Sequence, residues 1–250
     1  MPSKDWGGTC VVVAGASGGI GTQVAHQLAT AGAKVIPLDL ADGIDLADRS
    51  AVDQAILPLT RIDAVFYLAG KAVTGHICDD AAIDKLDAAI AANVRGVINL
   101  AAATAPLLQN SRGRFVVANS VFSLVTARGF GAYSASKAAL SVIIDALRPE
   151  LYPATVTDCI LGGVRTDIFA NAAKIDNTPA AWDVADRFIR SVGKRDPAAA
   201  ARDIIAAGEQ RKYRPSIGRD AIAARAALAV SPRLTQSCIY TLINKFGNTT

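Results

Sequence analysis

The stretch Ala14-Gly15-Ala16-Ser17-Gly18-Gly19-Ile20-Gly21 decides the fold of this chain. It follows Thr9–Ala14 (TCVVVA), a continuous apolar run of the kind that predicts a strand buried on both faces of a parallel sheet. It leads into Ile20–Ala31, a predicted helix that Gly32 ends. Glycines between a strand and a helix let the backbone approach a pyrophosphate, whose charge the free N–H groups of the helix N-terminus then face. The stretch therefore predicts a phosphate cradle.

One carboxylate strengthens this interpretation and specifies the ligand. Asp39 follows the next predicted strand, Lys34–Leu38, and lies 18 residues after Gly21. From that position it can hydrogen-bond the ribose diol of an adenosine. The same charge repels a 2′-phosphate, and the glycine turn contains no Arg or Lys to attract one. The alternative is a simple turn residue before Leu40-Ala41-Asp42-Gly43, and the glycines upstream favour the dinucleotide interpretation over it. Because the carboxylate repels a 2′-phosphate, we expect NAD rather than NADP.

Strands and helices alternate along the rest of the chain, which is typical of an α/β domain whose mostly parallel sheet is flanked by helices. The predicted strands are Thr9–Ala14, Lys34–Leu38, Ala64–Leu68, Arg114–Asn119 and Thr155–Leu161. The predicted helices are Ile20–Ala31, Arg49–Leu59, Ile83–Leu108, Tyr133–Leu151 and Pro197–Glu209. No linker or repeat divides the sequence, so we expect one domain over residues 1–250. The irregular segment 166–195 is either a lid over a site or a surface excursion.

A second constellation is Tyr133-Ser134-Ala135-Ser136-Lys137. Tyr133 and Lys137 share one helix face, which places an ammonium near a phenol. A free phenol has a pKa of about 10, and a nearby cation lowers that value enough to make tyrosine a usable acid and base. Taken alone, a Tyr/Lys pair on one helix face usually lies at the protein surface and has no catalytic role. Ser120, however, ends the preceding strand, where a parallel sheet presents its active-site edge, and this favours a catalytic role.

The composition excludes several classes of protein. With 51% hydrophobic and 19% charged residues the chain is neither disordered nor fibrous. A net charge of +4 without a Lys/Arg block predicts no nucleic-acid binding. The chain shows neither an apolar run of about 18 residues nor a signal-peptide core at 1–6, so we expect no membrane span. The four cysteines are Cys10, Cys78, Cys159 and Cys238, and their spacing is not that of metal ligands, so we expect no metal site. Without a pattern of paired cysteines we expect a reducing, cytoplasmic location.

With these residues assembled, the sequence resembles the short-chain dehydrogenase/reductase family from about Cys10 to about Ile217. The resemblance implies a single Rossmann-type, doubly wound domain. Its phosphate loop corresponds to Gly15, Ser17, Gly18, Gly19, Ile20 and Gly21. Its catalytic tetrad corresponds to Asn93, Ser120, Tyr133 and Lys137. Asp45-Leu46 matches the position that holds the adenine amino group, and the nicotinamide carboxamide would be held by Gly162, Val164 and Thr166 within the stretch from Leu161 to Asp167.

Two positions depart from the family pattern. Tyr67-Leu68-Ala69-Gly70 stands where the family usually has Asn-Asn-Ala-Gly, a segment that packs beside the adenine and supports the sheet. Ala69 and Gly70 keep the pattern and are expected at the cofactor. Leu161 stands where the family has a proline before the nicotinamide loop, and we expect it to loosen that loop. Neither departure removes a catalytic group.

The resemblance implies NAD-dependent hydride transfer between a secondary alcohol and a ketone. In it, Tyr133 exchanges the proton with the substrate oxygen, to which Ser120 donates a hydrogen bond. Lys137 lowers the tyrosine pKa and holds the nicotinamide ribose, while Asn93 holds a water that links Lys137 to solvent. One alternative is an NADPH-dependent ketoreductase, which Asp39 disfavours. Another is a dinucleotide-sensing protein without turnover, which the complete tetrad disfavours.

Apolar residues near the tetrad predict a hydrophobic or cyclic alcohol or ketone as the small-molecule substrate, rather than a charged sugar acid, although such residues are often simply core. They are Phe122, Leu124, Val125 and Phe130, with Ile168, Phe169, Ile175, Trp182 and Phe188 from segment 166–195. The resemblance also implies a homotetramer or homodimer. Its interface would use the Ala-rich helices Ile83–Leu108 and Tyr133–Leu151.

Overall fold

Six parallel strands form the centre of the computed structural model, which describes residues 5–174, 191 and 194–247, the last five of them by backbone alone. They are β1 (Cys10–Ala14), β2 (Lys34–Leu38), β3 (Ala64–Tyr67), β5 (Arg114–Ser120), β6 (Thr155–Leu161) and β8 (Ser216–Ile217). Their order is β2-β1-β3-β5-β6-β8, and every pairing is parallel. The predicted α/β fold class is confirmed. A separate parallel pair joins β4 (Val73–Thr74) to β7 (Ala173–Lys174).

Helices cover both faces of the sheet. They are α1 (Gly19–Thr30), α2 (Arg49–Ile56), α3 (Ala82–Ile90), α4 (Gly96–Ser111), α5 (Gly131–Glu150), α6 (Pro197–Glu209), α7 (Arg219–Val230) and α8 (Pro232–Gly247). Successive strand residues point to opposite faces, so each strand feeds two cores. Val65 and Phe115 pack with α2, α4 and α5 on one face. Phe66 and Val116 pack with α1 and α6 on the other.

The long helix predicted over Ile83–Leu108 is not continuous. A π-helical turn, Ala91–Arg95, separates α3 from α4 and carries Asn93. Such a turn adds one residue to the repeat without changing composition, so the sequence pattern contains no sign of it. The helix predicted over Arg49–Leu59 is shorter than expected and ends at Ile56.

The C-terminal helices α7 and α8 were not predicted, because they lie beyond the end of the family resemblance. Within α7 only Ala221 is buried. Helix α8 is held to the segment after β5, since the Gln236 side chain accepts a hydrogen bond from the Thr126 N–H at 3.3 Å and donates one to the Thr126 carbonyl at 2.6 Å.

In the predicted lid, Ile175, Trp182 and Phe188 lie outside the described residues.

Within the described residues, one helical stretch is long and apolar enough to cross a membrane by length and composition, namely Ala82–Ser111. Half of its most apolar window is buried inside the fold. Leu100 and Leu108, for example, pack against the sheet. Core helices of this kind meet the same criterion, so the expectation that the chain has no membrane span stays a prediction.

A buried ion pair ties β6 to the segment that leads into β8. Asp158 is fully buried on β6, and its carboxylate accepts hydrogen bonds from Arg214 Nε at 2.8 Å and from Ser141 Oγ at 3.2 Å. Arg214 also donates to Asp145 at 2.9 Å. Because a buried carboxylate is costly unless it is paired, the stability of this region depends on the guanidinium.

Replacing the guanidinium tests this dependence. We expect Arg214→Met to lower the free energy of unfolding by about 3–5 kcal/mol, since it leaves Asp158 buried without its cation. The control is Arg49→Met, which removes a surface pair with Asp53 and should cost no more than about 1 kcal/mol. Urea unfolding measures both. Equal losses in the two variants would contradict the assigned role of the buried pair.

Candidate active site

Two continuous clefts open at the carboxyl ends of the strands, beside the point where β1 is flanked by β2 and β3. Ligands bind at such switch points in open α/β sheets. The first cleft has a volume of about 530 Å³ and the second about 290 Å³. The residues that line both are Ile20, Leu68, Ala69, Gly70, Thr166 and Ile168. Together the clefts form one elongated groove.

The glycine turn forms one end of this groove, and steric limits explain its glycines. Gly15 has φ +79°, and a Cβ there would lie 2.5 Å from the backbone nitrogen of Ala69. A Cβ on Gly21 would lie 1.9 Å from the Gly15 carbonyl oxygen. Gly18 precedes α1 and has no side chain to occupy the first N–H groups of that helix. The turn therefore offers backbone donors to an anion at close range, which is what a pyrophosphate requires.

Asp39 lies on the first cleft and is anchored to the glycine turn. Its carboxylate accepts hydrogen bonds from the Ser17 N–H at 3.0 Å and the Ala41 N–H at 3.3 Å. Burial alone would raise the pKa of Asp39, but these hydrogen bonds hold the pKa below its ordinary value. A fixed negative charge thus stands beside the glycine turn that is predicted to bind phosphate.

The segment predicted at the adenine also lines the first cleft. The Asp45 carboxylate accepts a hydrogen bond from the Ala47 N–H at 2.9 Å. The Leu46 carbonyl accepts one from Asn99 Nδ2 at 3.0 Å, which ties the segment to α4. Ala69 and Gly70 contribute to both clefts. All four residues are therefore within reach of a ligand in the groove.

Three of the four predicted catalytic residues line the second cleft. Ser120 ends β5, and the buried side chains of Tyr133 and Lys137 come from α5. Lys137 Nζ lies 5.9 Å from the centre of the Tyr133 ring and donates to the Ala118 carbonyl at 3.5 Å. A Cβ on Gly70 would lie 3.4 Å from Lys137 Nζ, so the ammonium adjoins the floor of the groove.

The electrostatics of this pair differ from the expectation. Burial raises the pKa of Tyr133 to about 12, and a hydrogen bond with Ser120 opposes the rise. Burial lowers the pKa of Lys137 to about 8, and the charge of Asp158 opposes that fall. The expected lowering of the tyrosine pKa by Lys137 is therefore not found in the protein alone, because desolvation of the phenol dominates.

Asn93 lies in the π turn and is fully buried, with hydrogen bonds at both polar atoms of its side chain. Its Oδ1 accepts from the Lys71 N–H at 2.8 Å. Its Nδ2 donates to the Lys71 carbonyl at 2.9 Å and to Ser136 Oγ at 2.8 Å. Both side-chain hydrogens are thus used, and the amide joins the segment after β3 to α5. The expectation that Asn93 holds a water linking Lys137 to solvent stays a prediction, and the amide oxygen retains a second acceptor site for it.

The predicted nicotinamide loop is tied to α7 by a hydrogen bond, and the expectation that Leu161 loosens it stays a prediction. Leu161 is buried as the last residue of β6, and the Gly163 N–H donates to the Asp220 carboxylate at 2.6 Å. A Cβ on Gly162 would lie 1.9 Å from that carboxylate. Val164 and Thr166 complete this wall of the second cleft. Asp220 was not predicted from the sequence. The two consecutive glycines Gly162 and Gly163 were the sign that another side chain packs closely against this loop.

The second cleft is mainly apolar. Around Tyr133, the rings of Phe122 and Phe169 lie edge-on with centroid distances of 5.8 Å and 5.4 Å. Ile239 and Leu242 of α8 also line it, and the sequence carried no sign of this. Among the described lining residues, Lys137 and Asp220 are the charged ones. The cleft therefore suits an uncharged, hydrophobic molecule with one polar group at Ser120.

Comparisons with known proteins agree with this architecture. A family model described as short chain dehydrogenase matches residues 37–176. A Mycobacterium tuberculosis protein named "Putative oxidoreductase SadH" is 27% identical over 243 residues, which cover 86% of this chain and 87% of that protein.

Two solved structures share the fold and differ in the dinucleotide that they contain. A short chain dehydrogenase from Burkholderia cenocepacia in complex with NADP has a TM-score of 0.78 and 20% identity, covering 94% of this chain and 98% of its own. A short chain dehydrogenase/reductase from Burkholderia phymatum in complex with NAD has a TM-score of 0.79 and 19% identity, covering 93% and 96%.

The burial of Lys137 predicts a pH-dependent cost to stability. Its pKa falls from 10.5 to about 8 on folding, because burial disfavours the charged form. The resulting loss of free energy of unfolding is absent above pH 10.5, grows as the pH falls, and is complete below pH 8. Lys137→Met should therefore raise the free energy of unfolding at pH 7 by up to about 3 kcal/mol. Urea unfolding at pH 7, 9 and 10.5 measures the effect. The gain in free energy of unfolding should fade towards pH 10.5, and it should be absent in the exposed control Lys34→Met. A gain that does not depend on pH would show that burial of the Lys137 charge is not its cause.

Proposed function

The chain belongs to the short-chain dehydrogenase/reductase family, and on that premise we propose that it is an NAD(H)-dependent oxidoreductase that interconverts a secondary alcohol and a ketone. The single observation that carries the proposal is the convergence of Ser120, Tyr133 and Lys137 on an apolar cleft continuous with the glycine turn. A groove of this kind can hold a dinucleotide at one end and a substrate at the other.

The residues of the groove fit a nicotinamide dinucleotide. Glycines at 15 and 21 let the turn pack closely against its own backbone and that of Ala69, which would leave the N–H groups at the start of α1 to bind the pyrophosphate. Asp39 would accept hydrogen bonds from the adenosine ribose. Asp45-Leu46 would flank the adenine, with Ala69 and Gly70 beneath the dinucleotide. Gly162, Val164 and Thr166 would face the nicotinamide. Bound NAD(H) supplies the hydride donor or acceptor.

Proton transfer would take place at the Tyr133 phenol. With a pKa of about 12 the phenol is protonated at neutral pH, so it can donate its proton to the oxygen of a bound ketone. Ser120, hydrogen-bonded to the phenol, would also donate to the substrate oxygen as negative charge develops there. The Lys137 ammonium would stabilise the phenolate that remains, and in the alcohol-oxidising direction the same charge would assist removal of the substrate proton.

The apolar cleft supports a hydrophobic or cyclic alcohol or ketone as the substrate. The edge-on rings of Phe122 and Phe169 confine space beside the phenol, and Ile239 closes another side. Burial of apolar substrate surface would supply most of the affinity. A charged sugar acid would find no described cation there besides Lys137, which the mechanism already uses.

We also propose a homo-oligomer, either a tetramer or a dimer, in the cytoplasm. Apolar side chains stand exposed on both long helices, Ile98 on α4 at 41% and Val142 on α5 at 69%, which supports burial by a second copy. All four cysteines are free, two of them exposed, which is compatible with a reducing compartment.

Cofactor preference is testable at Asp39. We expect NAD(H) to bind at least about tenfold more tightly than NADP(H), a difference of about 1.4 kcal/mol, because the anchored carboxylate repels a 2′-phosphate. Asp39→Ala should bring the two dissociation constants together, whereas the exposed neighbour Asp42→Ala should leave the ratio unchanged. Fluorescence titration with NADH and NADPH measures both. Equal or tighter NADPH binding by the unaltered protein would refute the preference, and this outcome would favour the NADPH-dependent ketoreductase.

Catalysis is testable at Tyr133. A panel of secondary alcohols and ketones of increasing hydrophobicity, each with NAD(H) and NADP(H), first identifies an active substrate. Tyr133→Phe should then reduce turnover by roughly 10² or more, since it deletes the proton-exchanging group and keeps the ring. NADH affinity should change little. Tyr213→Phe, at an exposed tyrosine, serves as the control. A Tyr133→Phe protein with nearly unaltered turnover would show that the assignment is wrong, and a panel without any active compound would favour the dinucleotide-sensing alternative.

A further inference from the structure

Tyr67, one of the residues that depart from the family pattern, donates a side-chain hydrogen bond to a helical segment outside the sheet. It ends β3, is fully buried, and its hydroxyl lies 2.8 Å from the Ala92 carbonyl oxygen. Ala92 belongs to the π turn. There the Gly96 N–H bonds to the Ala91 carbonyl, whereas in an α-helix it would bond to that of Ala92. The Tyr67 hydroxyl thus supplies a donor to a carbonyl whose usual helical partner has moved.

The helix makes room for this hydroxyl at one residue. A Cβ on Gly96 would lie 2.2 Å from the Tyr67 hydroxyl oxygen, and also 3.2 Å from Leu46 Cβ. The phenol therefore fits beneath the helix because residue 96 is glycine. Burial, together with the nearby charge of Asp45, raises the pKa of Tyr67, so the phenol remains a neutral donor.

The π turn connects the hydrogen bond between Tyr67 and Ala92 to α5, the helix that carries Tyr133 and Lys137. Asn93, the residue after Ala92, donates to Ser136 Oγ at 2.8 Å. Ser136 in turn donates to the Tyr133 carbonyl at 2.8 Å and directly precedes Lys137. A Cβ on Gly70 would lie 3.1 Å from Asn93 Oδ1 and 3.4 Å from Lys137 Nζ, so the amide and the ammonium adjoin the same point. Hydrogen bonds and chain neighbours therefore link Tyr67, through the π turn and Asn93, to the backbone of α5 at Tyr133 and Lys137.

We propose that Tyr67 is a positioning residue, whose hydrogen bond to Ala92 fixes the π turn and through Asn93 and Ser136 holds Tyr133 and Lys137 in place. The proposal rests on the proposed function, because it takes Tyr133 and Lys137 as the groups that exchange the proton. Its competitor is a packing role, in which the ring fills the core and the hydroxyl adds stability alone.

Tyr67→Phe separates the two roles, since it keeps the ring and removes the hydroxyl. A positioning role predicts that kcat falls about tenfold and that the pH profile of kcat shifts, with KM and NADH affinity changed less than about threefold. The matched control is Thr104→Val, which removes another buried hydroxyl that donates to a carbonyl, that of Leu100 in α4, at 2.7 Å. It should lower stability and leave the pH profile unchanged. An unchanged profile in Tyr67→Phe would overturn the proposal.

Gly96→Ala gives an independent test through non-additivity. Its methyl group should displace the Tyr67 hydroxyl and lower kcat at least as much as Tyr67→Phe does. In the double variant Tyr67→Phe/Gly96→Ala the hydroxyl is absent, and the added Cβ meets only Leu46 Cβ at 3.2 Å and the ring carbon Cζ at 3.3 Å, so the second substitution should cost less than Gly96→Ala does alone. Losses that multiply in the double variant would contradict the proposed contact.

Hydrogen exchange distinguishes failure of this proposal from failure of the proposed function, because it needs no substrate. In Tyr67→Phe, peptides covering 91–96 and 131–140 should exchange faster than in the unaltered protein and in Thr104→Val. Unchanged exchange over 131–140 would overturn the positioning role whatever the turnover. If the unaltered protein turned over no panel compound, the proposed function would fail, and exchange over 131–140 would still decide whether Tyr67 holds that helix.

Discussion

The site depends first on one steric constraint, the passage of the backbone at Gly15 against that at Ala69. The two segments are so close that a single methyl group at residue 15 would collide with the Ala69 backbone. This approach brings the start of α1 and the floor of the groove together at the switch point of the sheet. It also sets the Ser17 N–H where it can hold the Asp39 carboxylate. The shape of the glycine turn and the place of the Asp39 charge beside it thus depend on one contact between two strand ends.

Local patterns predicted the parts of the molecule that are locally determined. Buried strands are continuous apolar runs, so the five main strands fell close to their predicted bounds. The glycines and Asp39 occur at spacings that only a strand-turn-helix unit explains. The π turn at Asn93 has no such signature, because it depends on contacts with β3 and α5. Asp220 and Ile239 reach the site from helices beyond the family resemblance, and tertiary packing alone brings them there.

Electrostatics in the second cleft follow from burial rather than from the spacing of Tyr133 and Lys137. The sequence places a cation near a phenol, but it does not show how far either group is removed from water. Desolvation favours the neutral form of both groups, and the buried Asp158 partly restores the charge on Lys137. A substrate and a dinucleotide would exclude still more water. The charge of Lys137 would then matter more, because electrostatic interactions strengthen as the local dielectric constant falls.

The two departures from the family pattern are each matched by a compensating residue elsewhere. A phenol at residue 67 fits because residue 96 has no side chain, and the hydroxyl then satisfies a carbonyl of the π turn. The loop after Leu161 is held because Asp220 accepts the Gly163 N–H, and Gly162 leaves space for that carboxylate. In both cases the residues in contact, Tyr67 with Gly96 and Gly163 with Asp220, lie far apart in sequence. From the sequence alone, an unusual residue at a family position suggests a weakened site. In the fold, the same position is held by contacts with residues that the sequence does not place nearby.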